Sequence, residues 1–120
     1  MAKILVVDDD DHVRGMVSRL LRNAGHEVMD LSSGGEAVAA VGNTGFDALV
    51  VDLVMPEIGG IETIMAIHRV APDLPTIVMS GKIPLEDEAV NRLVERYGAK
   101  SVLAKPFTAA ELVAAVAAVV

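Results

Sequence analysis

Residues 47–60 read DALVVDLVMPEIGG. Within them, Ala48 to Val51 is an unbroken apolar run rich in β-branched residues and too short for a stable helix. Because the run does not alternate with polar residues, the strand it predicts is covered on both faces, the condition of a parallel sheet carrying helices on each side. The run ends on Asp52, and Pro56 marks the turn beyond it.

Working outward, runs of the same kind lie at Ile4 to Val7, Thr76 to Met79 and Ser101 to Ala104. Glu27 to Leu31 mixes charge with apolar residues and suits a sheet edge. Between these strands Val13, Val17, Leu20, Leu21 and Ala24 follow a helical stripe, and Ile61, Ile64, Met65 and His68 begin another. Strand starts roughly 20 to 28 residues apart leave room for one helix and two short loops each time. Five βα units are predicted, punctuated by Gly25, Gly34, Gly35, Gly45, Pro75 and Pro84. No linker, repeat or low-complexity tract interrupts them, so residues 1–120 are expected to form one domain.

Charge and composition narrow the function. The 120 residues carry a net charge of -7 and contain no cysteine, which excludes disulfides, thiolate metal sites and cysteine nucleophiles and fits a reducing compartment. Any metal must be held by oxygen or imidazole. A pI near 4.8 argues against direct nucleic-acid binding, which draws on clustered Lys and Arg. Met1 to Val7 lacks a signal-peptide layout, and no window reaches the length of an apolar membrane span. The expectation is a cytoplasmic protein with no membrane partner.

In open parallel sheets the chemistry gathers at the carboxyl ends of the strands. There this chain places Asp8, Asp9, Asp10 and Asp11, then Asp52, then Ser80, then Lys105 followed by Pro106. Two like charges about 4 Å apart repel by about 4 kcal/mol at an effective dielectric near 20, so gathering Asp8, Asp9 and Asp52 implies a cation. All-oxygen ligation with room for water suits Mg2+. The Asp52 carboxylate could attack a phosphoryl phosphorus and form an acyl phosphate. Lys105 could pair with the added oxygens, and Ser80 could donate a hydrogen bond to them.

KILVVDDDD at 3–11, DALVVDLVMPEIGG at 47–60, PTIVMSG at 75–81 and GAKSVLAKPF at 98–107 together resemble the receiver domain of two-component response regulators. The resemblance runs along essentially the whole chain. It implies a flavodoxin-like, doubly wound (βα)5 fold, a parallel sheet of order 2-1-3-4-5 with helices on both faces. It further implies that Asp52 accepts a phosphoryl group from a histidine kinase or histidine phosphotransfer protein. Asp9, Asp52 and the backbone carbonyl of Val54 would bind Mg2+, with Asp8 acting through water. Ser80 and Lys105 match the family's switch hydroxyl and phosphate-contacting lysine, and Lys105-Pro106 its usual cis peptide. Two positions depart from the pattern. Val102 stands where the family often has an aromatic residue, and the segment from Ser80 to Lys105, with Gly81, Lys82, Ile83 and Pro84 following the switch residue, looks about three residues longer than is usual in the family.

Plainer roles are expected elsewhere. Asp10 and Asp11 read as helix-capping residues. His12, His26 and His68 each stand alone and read as surface or boundary histidines, the phosphorylated histidine belonging to a partner; Lys82 reads as a surface lysine, with reach to the phosphate site as its alternative. Met16, Met29, Met55, Met65 and Met79 read mainly as core filler. The last helix, Thr108 to Val120, carries only Glu111 as a charge. The face formed by helices four and five with strand five could therefore meet an output domain, a kinase or a second copy in a homodimer. No turnover of an external metabolite is expected. An aspartyl phosphatase of the haloacid dehalogenase type is the enzymatic alternative, but it usually needs an acid two residues beyond the nucleophile, where this chain has Val54. A phosphorylation-independent interaction module is the other.

Overall fold

The computed structural model describes residues 2–53, 60–81, 92, 96 and 99–120. In chain order the elements are β1 (Lys3–Val7), α1 (Asp11–Asn23), β2 (Glu27–Leu31), α2 (Gly34–Asn43), β3 (Ala48–Asp52), α3 (Gly60–Val70), β4 (Thr76–Ser80), β5 (Ala99–Ala104) and a C-terminal helix (Ala109–Ala117). The helix expected from Pro84, the long connection after Gly81, Lys82 and Met55 lie outside the described residues.

The strands form one parallel sheet in the order β2-β1-β3-β4-β5. Side chains alternate across a strand, so each unbroken apolar run feeds two cores. Leu5, Val7, Leu49, Val51 and Val78 join Ala37, Val41, Ile64 and Ile67 under α2 and α3. Ile4, Val6, Ala48, Val50, Ile77 and Met79 join Val17, Leu21, Leu112 and Val116 under α1 and the C-terminal helix. At the edge, β2 is only partly covered, and Met29 is 38% exposed rather than core filler.

Local chemistry sets the helix ends. Asp10 N-caps α1, accepting from the amides of His12 and Val13, and Ser33 caps α2. At the other end of α1 the Gly25 amide donates to the Arg22 carbonyl and the His26 amide to that of Leu21, a Schellman closure. It needs the left-handed φ of 96° that Gly25 adopts. A capping box between Thr108 and Glu111 starts the C-terminal helix. That helix is shorter than the expected Thr108 to Val120. Leu112 and Val116 are its buried residues, Ala115 packs beside them against the core, and Ala109, Ala110, Ala114 and Ala117 are exposed. Being small, they add little apolar surface per residue, so a nearly uncharged helix can sit on one side of the domain.

His26 and His68 are half-buried, at the boundary where they were expected. His26 Nδ1 accepts from the Ala2 amide at 3.3 Å, and His68 Nε2 lies 3.0 Å from Thr76 Oγ1. The Thr76 hydroxyl also lies 3.1 Å from the Leu74 carbonyl. Among the described residues no helix is long and apolar enough to cross a membrane.

Two outcomes follow from these contacts. Gly25→Ala forces an L-residue into the left-handed region and should lower unfolding free energy by about 1 kcal/mol in urea titrations. Burial holds His68 below the ordinary histidine value of 6.5. The unfolded chain therefore takes up a proton before the folded one, and the stability contributed by neutral His68 is present above pH 6.5 and lost as pH falls through its folded value. The urea midpoint should fall over that range, and less steeply in His68→Gln.

Candidate functional site: an acidic pocket at the strand ends

The register of the sheet builds the site. Val7 pairs with Val51, Asp52 with Met79, and Ser80 with Ala104, so Asp8, Asp52, Ser80 and Lys105 emerge along one edge. The Asp8 amide donates to the Leu31 carbonyl at 3.2 Å, and its Oδ1 accepts from the Asp10 amide at 2.9 Å. Asp8 and Asp52 are buried, and Asp9 is exposed. Oxygens from the three carboxylates all lie within 4.8 Å of one another.

Lys105 closes the pocket. Its Nζ is 3.1 Å from Asp8 Oδ2 and 3.3 Å from Asp52 Oδ2. Its own amide donates to the Ser80 carbonyl at 2.8 Å, which fixes the root of the side chain to the end of β4. The Lys105-Pro106 bond is cis, as the resemblance implied. A side chain at Gly81 would come within 3.2 Å of Lys105 Cδ, so glycine there leaves room for the lysine stem.

Opposing effects act on the charges. Burial pushes the Asp8 carboxyl above its ordinary range, while the Asp10 amide and the Lys105 ammonium pull it down. For Lys105, partial burial disfavours the ammonium, but the combined charges of Asp8 and Asp52 outweigh this and hold its pKa above the usual lysine value. Among the described residues Lys105 sets one cation against the three carboxylates, so the pocket still favours further positive charge. Oxygen donors, two buried and one facing water, match what a hard divalent ion such as Mg2+ takes from a protein while retaining part of its hydration shell.

Of the expected site residues, Asp8, Asp9, Asp52 and Lys105 are brought together, and Ser80 joins them through the backbone. Val54 lies outside the described residues. Asp10 is the helix cap it was expected to be, its pKa lowered by the Val13 amide above all. Asp11 pairs with Arg14 at 2.6 Å in the first turn. Val102 packs into the core under α2 and α3.

Gly60 closes the 47–60 motif, but the sequence reading gave it no role of its own. A Cβ there would collide with the Asp52 carbonyl oxygen and Leu53 Cα, and its amide donates to the Leu53 carbonyl at 3.0 Å. The start of α3 thus rests directly on the backbone of Asp52. The Gly59-Gly60 pair was the available signal.

This fold and pocket define a receiver domain. The family described as "Response regulator receiver domain" matches residues 4–117, and the chain belongs to it. It is 37% identical over 116 residues to the transcriptional regulatory protein PrrA of Mycobacterium leprae, covering 97% of this chain and 48% of that protein. It is 32% identical to protein PilG of Pseudomonas aeruginosa, covering 97% of this chain and 85% of PilG. The chemotaxis protein CheY4 of Vibrio cholerae superposes with a TM-score of 0.90 at 30% identity, covering 100% of this chain and 99% of CheY4. The chain thus spans about half the length of PrrA.

Replacing Lys105 by Met leaves Asp8 and Asp52 facing each other in a buried setting. Without divalent ions the variant should lose about 3 kcal/mol of stability, the lower end for breaking a buried ion pair. Adding Asp8→Asn should recover part of the loss, read as a non-additive double-mutant cycle in urea.

Proposed function

We propose that Asp52 is the phosphoacceptor of this receiver domain and that a phosphohistidine on a histidine kinase or histidine phosphotransfer protein is the donor. The observation that carries the reading is the convergence of three carboxylates and one ammonium where three strands end. Family membership supports it. In the transfer, an Asp52 oxygen forms a bond to phosphorus as the phosphorus–nitrogen bond to the donor imidazole breaks, its electron pair returning to the ring nitrogen. The product is an acyl phosphate.

Asp8, Asp9 and Asp52 would hold Mg2+, which when bound supplies positive charge for the phosphoryl oxygens. Lys105, already against Asp52, would keep its ammonium on the added oxygens. Ser80, buried at the end of β4, would donate its hydroxyl to the same group. Two new partners for these side chains would favour one arrangement of the domain over another, which makes phosphorylation a population switch. The domain would turn over no external metabolite. It would work in the cytoplasm, with β5 and the C-terminal helix offered to an output domain or to a second copy.

Mass spectrometry after incubation with acetyl phosphate and Mg2+ tests the assignment. Wild type should gain a single phosphoryl mass and Asp52→Asn none; labelling that survives in Asp52→Asn would move the acceptor elsewhere. Mg2+ at ten times its dissociation constant should also raise unfolding free energy by about 1.4 kcal/mol. That gain should shrink in Asp9→Asn.

A further inference from the structure

Arg14 stands near the start of α1, and its guanidinium touches three separate pieces of chain. Nη1 donates to the backbone carbonyl of Asp8 at 2.9 Å, and Nη2 to Asp11 Oδ1 at 2.6 Å. Nε lies 3.4 Å from Asp30 Oδ1 on β2. One planar cation thus ties both ends of the acidic loop 8–11 to the neighbouring strand. The Arg14 side chain is 18% exposed, which marks it as packed against the loop rather than extended into water.

The carbonyl of Asp8 and the amide of Asp9 share one planar peptide unit. Fixing the direction of that carbonyl therefore fixes where the Cα of Asp9 stands. This matters because, among the described residues, no hydrogen bond or ion pair holds the exposed Asp9 carboxylate, whereas Asp8 is held by the Asp10 amide and Lys105. The placement of Asp9 comes from its backbone.

We propose that Arg14 is a positioning residue for the acidic pocket: by holding the Asp8 carbonyl it aims Asp9 at the site shared with Asp8 and Asp52, and so sets the affinity for the divalent ion. The role rests on the reading of the pocket given above. Charge alone makes the opposite prediction, because a guanidinium beside the pocket repels an arriving cation. Losing it would then tighten binding.

Titration calorimetry with Mg2+ on the folded chain separates the two. Arg14→Met should weaken Mg2+ binding about tenfold, the low end of what loss of an outer-shell partner costs a metal site. Arg14→Lys keeps the charge but not the planar fork, and should weaken it by a smaller factor. Labelling by acetyl phosphate should slow more at limiting than at saturating Mg2+. An Arg14→Met protein that binds Mg2+ as tightly as wild type, or more tightly, overturns the role. If that variant does not fold, Arg14→Lys decides: weaker binding supports the role and equal binding overturns it. Wild type that fails to bind Mg2+ sinks the pocket reading and this role together. Intact binding in wild type that is unchanged in the variants sinks this role alone.

Discussion

The ammonium of Lys105 lies between the carboxylates of Asp8 and Asp52, and this contact joins the ends of β1, β3 and β5 across the sheet. The strands place these groups together because they run parallel and finish level with one another. The cost is electrostatic. Carboxylates so close tend to drive one another apart, and burial adds to the penalty on Asp8. Lys105 relieves part of that repulsion, so the pocket is stable enough to persist and still short of positive charge.

That shortfall connects structure to chemistry. A pocket fully neutralised by its own side chains would gain little from a metal ion or from charge redistribution on Asp52. Here Lys105 is shared between two acids rather than committed to one, and the phosphoryl group proposed for Asp52 would offer it new oxygens. The Ser80 carbonyl holds the backbone of Lys105, so the lysine can follow the chemistry at its tip while its root stays with β4.

Much of this was legible in the amino-acid order. The runs at Ile4 and Ala48 are apolar at every position, and the run at Thr76 is apolar after its first residue, which a strand tolerates only between two layers, and the two cores confirm it. Four motifs marked the strand ends and brought Asp8, Asp9, Asp52, Ser80 and Lys105 into view. What the order concealed was contact between distant backbone segments. Gly60 matters because α3 sits on Asp52, and Arg14 because it bonds to a carbonyl, a group that every residue carries. Arg14 leaves no pattern in side-chain identity, and Gly60 only its place in a glycine pair, which does not name the contact. In the C-terminal helix the order overstated only the length: the capping box at Thr108 and Glu111 was there to read, but the helix closes at Ala117 rather than Val120.

The two-sided alternation of β1 has a further consequence. Leu5 and Val7 serve one core while Ile4 and Val6 serve the other. An insertion or deletion of a single residue within this strand would exchange the two sets and turn Asp8 away from its partners at the same stroke. Length variation among domains built this way is therefore confined to the connections. Diversity of docking and output can accumulate there without disturbing the reactive end of the sheet.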